Sequence, residues 1–95
     1  MISINIYFLS LLADIIGKES ILVSIDDKST IKDLLGKLSA IFGKNFQENI
    51  LESTNSLSKY IIIVLNGKDI RIFQDLNTII HDGDEISFLP AIAGG

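Results

Sequence analysis

The spacing of apolar residues changes partway along this chain, and that change limits the folds it can adopt. Residues 2 to 8 alternate between apolar and polar, which is typical of a strand with one face on a core. From Thr30 the apolar residues recur three and four positions apart, and this spacing predicts an amphipathic helix ending near Phe42. Strand-like segments return after the helix. The chain is therefore expected to build a mainly β structure around one main helix.

Four more strands are predicted, at residues 20 to 25, 60 to 65, 69 to 73 and 85 to 89, with a turn or short 3₁₀ segment at 75 to 80 and a tight turn at 81 to 84. The apolar run from Tyr60 to Leu65 is typical of a central strand or of one that turns a face to a partner. Asn66-Gly67 predicts a two-residue hairpin turn after it. Residues 11 to 18 break the alternation and are interpreted as a loop. Residues 44 to 59 are polar and are expected to add one helical turn, through Phe46, Ile50 and Leu51.

The order of these elements predicts an α+β fold. A first strand, a crossing helix and a last strand that can lie beside the first describe a β-grasp, or ubiquitin-like, roll. Such a roll has a mixed sheet of about five strands with one main helix packed on one face. A chain of 95 residues is large enough for one core, so residues 1–90 are expected to form the domain and residues 91–95 a flexible tail.

Composition argues against several classes of function. Eight Lys and Arg against twelve Asp and Glu give a net charge of -4, so nucleic acid is not an expected partner. Without cysteine there is no disulfide, thiolate metal site or cysteine nucleophile. The longest apolar run is far shorter than the roughly 20 residues of a membrane span, so a cytoplasmic protein without membrane contact is expected. A mean hydropathy of +0.43 indicates that part of the surface meets a partner protein.

Candidate catalytic side chains are few. His81 is the one candidate base, and its position in a turn with Asp82, Gly83 and Asp84 favours an ordinary solvated residue. These acidic residues lack the spacing of a calcium loop, so no metal is expected. Neither Gly67 nor Gly83 lies in a phosphate-binding pattern, so the chain is not expected to bind ATP itself.

The C-terminal segment is the remaining candidate site. Pro90 lacks an N–H and is predicted to end the last strand, after which the sequence reads Ala91-Ile92-Ala93-Gly94-Gly95. Fully extended, this segment reaches roughly 15 to 18 Å at ~3.3 to 3.6 Å per residue, enough to enter another protein's active site. Gly94 and Gly95 would pass through a slot too narrow for a Cβ atom.

The carboxylate of Gly95 is the group that such a slot could present to chemistry. As an anion at neutral pH it must be activated before a nucleophile can attack it, most directly by transfer of AMP from ATP. The chain is therefore expected to act as a carrier rather than as a catalyst. The alternative is that Gly-Gly is an idle chain end.

Asn66-Gly67 and the segment from His81 to Gly95 carry a resemblance to a known family. The segment is similar to the DGDEV-F-P-P-V-(A/S)-G-G ending of the MoaD/ThiS family of ubiquitin-like sulfur carriers. Within that family it looks closest to MoaD, the small subunit of molybdopterin synthase. Two features depart from the pattern: Pro90-Ala91 stands where Pro-Pro is common, and residues 44 to 59 make the chain longer than a typical MoaD and closer to archaeal MoaD-like proteins.

The resemblance implies a mechanism and partners. A MoeB-like enzyme would consume ATP to adenylate Gly95, which would become a thiocarboxylate and enter a MoaE-like large subunit, in a heterotetramer, to build the molybdopterin dithiolene. No cofactor would be bound by the chain itself. The alternatives are an archaeal ubiquitin-like protein modifier and a sulfur carrier for thiamine or tRNA thiolation. A β-grasp binding module with an idle tail is the alternative from another class.

A partner surface is predicted beside the tail. Tyr7, Leu9 and Leu89, with Ile62 or Ile63, could form an apolar sheet face on which the activating enzyme and the large subunit dock in turn. The other predicted partner-binding residues are Phe88, Pro90, Ala91, Ile92 and Ala93. The alternative is that most of these side chains belong to the core.

Overall fold

The computed structural model of the protein describes residues 1–53 and 56–91. The strands are β1 (Ile2–Phe8), β2 (Ser20–Ile25), β3 (Leu51–Ser53), β4 (Ser56–Leu57), β5 (Ile61–Leu65), β6 (Lys68–Asp69) and β7 (Glu85–Pro90). The helices are α1 (Leu11–Ile16), α2 (Ile31–Phe42) and α3 (Lys44–Ile50), with 3₁₀ turns at Ile70–Ile72 and Asp75–Asn77. None of the helices in these described ranges is long and apolar enough to cross a bilayer.

Strand β7 lies at the centre of a five-stranded sheet with the order β2-β1-β7-β5-β6. It runs parallel to β1, with Phe8 opposite Phe88, and antiparallel to β5, with Ile61 opposite Pro90. Strand β2 runs antiparallel to β1 and forms one edge. The predicted β-grasp roll, with the last strand beside the first, is confirmed.

The core lies between one face of this sheet and the helices. In β1, β5 and β7 the alternate residues that face inward are buried, and α2 covers them with its apolar side. The buried residues that these four elements contribute are Ile4, Ile6, Phe8, Ile31, Leu34, Leu35, Leu38, Ile61, Ile63, Leu65, Ile86 and Phe88. Burial of this one face leaves the other side chains of the sheet pointing away from the core.

Local sequence fixes both ends of α2 as predicted. The Thr30 Oγ1 accepts the Asp33 N–H at 3.2 Å, and the Asp33 carboxylate accepts the Thr30 N–H at 2.9 Å, which is a capping box. At the other end the chain turns at Gly43 with a φ of 68°. Such a positive φ is readily available to glycine, so the helix stops where the sequence indicates.

The prediction of a loop at residues 11 to 18 is wrong, because Leu11–Ile16 form α1. Leu12 and Ile16, four positions apart, are buried, and Gly17 ends the helix with a φ of 87°. The apolar residues at 11, 12, 15 and 16 span fewer than two helical turns, which is too short a pattern to indicate a helix. Packing against the sheet stabilises it instead.

The polar segment after α2 holds more structure than one helical turn. Helix α3 has seven residues and is followed by the antiparallel pair β3 and β4. Phe46, Ile50 and Leu51 are buried, as the sequence predicted. The described part of this segment therefore extends the core.

Four phenylalanine side chains pack together on the core side of the sheet, near the end of β7. Phe8 stacks on Phe88 with ring centroids 5.6 Å apart, and Phe46 meets Phe88 edge-on at 6.0 Å. Phe42 meets Phe8 edge-on at 5.7 Å. This aromatic cluster (Phe8, Phe42, Phe46 and Phe88) joins α2 and α3 to the centre of the sheet.

The prediction of a strand at residues 69 to 73 is wrong, because Ile70–Ile72 form a 3₁₀ turn and only Asp69 of this range lies in a strand. Strand β6 ends at Asp69, whose carboxylate accepts the N–H of Arg71 at 2.9 Å and so begins the 3₁₀ turn Ile70–Ile72. A side chain that caps a turn competes with ladder pairing. The 3₁₀ turn at Asp75–Asn77 is as predicted.

Candidate functional site

The described chain ends beside the central strand. Pro90 was predicted to end pairing, yet the N–H of Ala91 donates to the Tyr60 carbonyl at 2.7 Å, so the ladder to β5 continues one bond further. On the opposite side the Phe88 carbonyl accepts the Leu9 N–H at 2.9 Å. The next donor towards β1 in that parallel ladder would be the N–H of residue 90, which proline lacks. Pro90 thus ends pairing on the β1 side alone.

The residues predicted to carry the chemistry, Gly94 and Gly95, lie outside the described residues, as do Ile92 and Ala93. Their assigned roles therefore stay predictions. The structure gives the point from which they start, at Ala91 directly after the central strand β7. Four further residues at ~3.3 to 3.6 Å each span at most about 14 Å from that point.

An apolar surface, here called the outer face, lies on the side of the sheet away from the core: Tyr7, Leu22, Ile62, Val64 and Leu89. The side chain of Leu22 is 66% exposed, and the other four are partly exposed. Ile62 on β5 lies directly opposite Leu89 near the end of β7, and Tyr7 lies on β1, on the other side of β7. The sequence predicted Tyr7 and Leu89 for this surface and gave Ile62 as one of two alternatives.

Two of the predicted surface residues face the core instead. Phe88 is fully buried in the aromatic cluster, and Ile63 is 1% exposed. Successive residues of a strand point to opposite sides, so exposure of Leu89 requires burial of Phe88. The prediction that the Phe88 side chain contacts a partner is therefore wrong.

The remaining predicted contact residues lie around the end of β7. Leu9 follows β1 and is 42% exposed, while Pro90 and Ala91 are partly exposed. Leu22 and Val64 also lie on the outer face and were not predicted from the sequence. Both were detectable as apolar residues at outward positions, and Leu22 stands between Ser20 and Ser24.

Charged side chains line an open cleft of about 430 Å³ that includes Ala91. In it the Arg71 guanidinium binds the Asp69 carboxylate, with Nη2 and Oδ2 2.6 Å apart. This side-chain bond, and the backbone N–H of Arg71, hold the pKa of Asp69 below its usual value. The Lys59 Nζ lies 5.4 Å from the centre of the Tyr60 ring. Asp75 is a second acidic residue in the lining, so the cleft beside the end of β7 carries two cationic and two acidic side chains.

The start of β7 is held by a set of polar side chains, here called the turn network: Asn66, Asp82 and Asp84. Asn66 Oδ1 accepts the N–H of Glu85 at 2.9 Å, and its Nδ2 donates to the Asp84 carboxylate at 3.0 Å. The Asp82 carboxylate accepts the N–H of Ser3 at 2.8 Å. These contacts join β1, β7 and the turn after β5.

The turn network accounts for the acidic residues that the sequence analysis weighed as metal ligands. The Asp84 carboxylate also accepts the N–H of His81 at 2.8 Å, so it serves the backbone of its own turn. Among residues 1–53 and 56–91, no three His, Cys, Asp or Glu side chains are grouped as metal ligands would be. The His81 side chain is exposed, as its turn position predicted.

Fold and site together define a β-grasp protein whose central strand leads directly into a segment of small residues. The chain belongs to the ThiS family, whose model matches residues 6–95. This is a family of ubiquitin-like sulfur carriers, so the resemblance found in the sequence is confirmed.

Individual relatives agree with this family. A protein of Archaeoglobus fulgidus, provisionally named a sulfur carrier protein, is 41% identical over 69 residues, which cover 73% of this chain and 77% of the relative. The sulfur carrier protein CysO of Mycobacterium tuberculosis is 34% identical over 82 residues, covering 83% of each chain. The crystal structure of small archaeal modifier protein 1 from Haloferax volcanii superposes with a TM-score of 0.83 at 20% identity, covering 97% of this chain and 100% of the other.

Proposed function

We propose that this protein carries sulfur as a thiocarboxylate on Gly95. The observation that carries the proposal is the position of Ala91, the last described residue, which is held by a backbone bond to the central sheet. A rigid sheet that continues directly into a narrow segment can direct that segment into a partner's active site. The family match also extends through Gly95.

The chemistry requires two transfers. The Gly95 carboxylate attacks the α-phosphorus of ATP, forming an acyl adenylate and releasing pyrophosphate. A sulfide equivalent then attacks the acyl carbon and AMP leaves, so a C–S bond replaces the bond to AMP. A MoeB-like enzyme would supply the ATP site and both catalytic steps, while this chain contributes the carboxylate.

The acceptor that we favour is the precursor of molybdopterin, with a MoaE-like large subunit as partner in a heterotetramer. Support comes from the ending Phe88 to Gly95, which is similar to that of the small subunit of molybdopterin synthase. The outer face supplies an apolar surface beside the start of the tail, where such a subunit could bind.

A protein modifier or a different sulfur carrier is the second candidate. The relatives include CysO, and the fold matches a small archaeal modifier protein. Attack of a lysine amine on the same adenylate would give an isopeptide bond instead of a thiocarboxylate. The activation step is common to both functions, as it is to carriers for thiamine or tRNA thiolation, so the acceptor separates them.

Changing the length of the C-terminal segment tests the proposal. Deleting Gly95, or adding one glycine after it, is expected to abolish adenylation and sulfur transfer in a reconstituted assay. The midpoint of thermal unfolding should stay unchanged. A glycine added before Met1, whose side chain is 83% exposed, is the matched control and should retain activity. Full activity of the Gly95 deletion would favour the binding-module alternative.

Mass spectrometry of protein from its native host separates the acceptors. A thiocarboxylate adds the mass difference between sulfur and oxygen to the intact chain ending at Gly95. A modifier instead leaves a C-terminal remnant on lysines of other proteins. Native protein that carries further residues after Gly95, never removed, would contradict both functions.

A further inference from the structure

Strand β2 forms an edge of the sheet with hydrogen-bonding groups that point outward. The Phe8 N–H donates to the carbonyl of Glu19, the residue before β2, at 2.9 Å. In this register the odd-numbered residues of β2 form their backbone hydrogen bonds with β1. The alternation of an antiparallel ladder directs the N–H and C=O groups of Ser20, Leu22 and Ser24 away from β1. No other described strand pairs with this side of β2.

This edge lacks the features that usually prevent strand pairing between molecules. Exposed edges are commonly protected by lysine, proline or a bulge. Residues 20 to 25 read SILVSI, without charge or proline, and pair with β1 in an unbroken register. Leu22, at the middle of the edge, is 66% exposed. The edge can therefore accept another strand.

We propose that β2 pairs with β2 of a second copy of this chain, antiparallel, about a two-fold axis at Leu22. In this arrangement Leu22 lies opposite its own copy, and Ser20 lies opposite Ser24. All three outward-pointing residues then exchange backbone hydrogen bonds, and the two five-stranded sheets become continuous. The same patch serves both copies, as a two-fold interface requires.

Charge complementarity supports the second copy as the occupant of this edge. In the same register, the pair beyond Ser20 and Ser24 is Lys18 opposite Asp26. Because of the two-fold symmetry, this pair occurs at both ends of the interface. Both residues are exposed, and neither forms an ion pair within the described chain. If one copy is shifted by two residues along the strand, one pair of residues with outward-pointing backbone groups is lost. Lys18 then lies opposite Lys28 for one direction of the shift and opposite Ser24 for the other. The register about Leu22 thus combines the most backbone bonds with opposite charges.

The arrangement leaves the ends of both chains accessible. Strand β1 separates β2 from β7, so Ala91 lies away from the interface. The two-fold axis is perpendicular to the sheet, which puts the outer faces of both copies on the same side. The inference does not depend on the proposed function.

Cysteine cross-linking tests the register directly, because the natural chain contains no cysteine. Opposed residues of a hydrogen-bonded pair have Cα atoms about 5.5 Å apart, within the range that a disulfide can bridge. The Leu22→Cys variant is therefore expected to form a disulfide-linked dimer on mild oxidation. In the Ser24→Cys control the two thiols lie four residues apart along the strands, about 14 Å, which is too far. Equal cross-linking of the two variants would overturn the proposal.

A charge exchange tests the same interface without a covalent bond. By sedimentation velocity, Lys18→Glu and Asp26→Lys should each self-associate about tenfold more weakly than the natural chain, because like charges then lie opposite at both ends. An equimolar mixture restores opposite charges at both ends, so the two variants should associate with each other as tightly as the natural chain does with itself. Thermal unfolding verifies that both variants are folded. A natural chain that stays monomeric at millimolar concentration, or a mixture no tighter than the separate variants, would overturn the proposal.

Discussion

The two ends of β7 are held in different ways. Side chains hold its start, where Asn66 bonds to both Asp84 and the backbone of Glu85. Its last described residue, Ala91, is held by one backbone bond to β5, and Pro90 offers no donor to β1. The strand is fixed at one end and leads into the tail at the other. Changes at the start should therefore alter stability alone, whereas changes at the end should alter stability on the core side of the strand and partner binding on its outer side.

The largest expected effect on stability is at Phe88, whose side chain packs on the core side of β7 near the end of the strand. Phe88→Ala removes a fully buried ring from the aromatic cluster. It should lower the free energy of unfolding by about 3 to 5 kcal/mol, measured by urea denaturation. Leu89→Ala, on the partly exposed side of the same strand, is the control and should cost much less. Similar losses for both variants would contradict the assignment of the two faces.

The outer face at the end of β7 is expected to govern binding. Leu89→Asp should weaken the proposed complexes with a MoeB-like activating enzyme and a MoaE-like large subunit by tenfold or more, because it places a charge in an apolar contact. Isothermal titration calorimetry measures both affinities. Leu11→Asp is the control, since Leu11 is 66% exposed but lies on α1 rather than on this face. Unchanged binding to either partner would argue against a shared surface.

The turn network at the start of β7 should have a smaller effect, confined to stability. Asn66→Gly removes two hydrogen bonds while keeping a residue that tolerates the φ of 50° found there. The expected loss is about 1 to 3 kcal/mol in the free energy of unfolding, because each of the two bonds contributes a net of roughly 0.5 to 1.5 kcal/mol. Sulfur transfer should be retained by the folded variant. If the variant lost sulfur transfer but kept its free energy of unfolding, the start of β7 would have a role in activity, and the difference proposed between the two ends of the strand would be wrong.

The smallest effect is expected from the ion pair in the cleft beside Ala91. The Arg71 guanidinium lowers the pKa of Asp69, so the ionised carboxylate stabilises the folded state at neutral pH. That contribution is lost as the pH falls below the ordinary value of 3.8 towards the lower value of the folded state. Arg71→Gln should therefore reduce the acid sensitivity of the thermal unfolding midpoint slightly, since solvent screens this exposed pair. An unchanged pH profile would contradict this role.

Local patterns in the sequence determined much of the fold. Alternation at residues 2 to 8 and 20 to 25, the helical spacing that begins at Thr30 and the Asn66-Gly67 turn each depend on neighbours a few positions away. Their structures could be predicted because such short-range preferences are written directly in the residue types. The family was likewise recognisable from the segment His81 to Gly95.

Long-range contacts decided the remainder. Helix α1 is stabilised by burying Leu12 and Ile16, and α3 by placing Phe46 against Phe88. The one-sided effect of Pro90 depends on which strand lies on each side of β7. The sequence by itself determined strands β1, β2, β5 and β7 and the main helix. Only the tertiary structure decided which neighbours each element meets, because burial and strand pairing depend on residues distant in the chain.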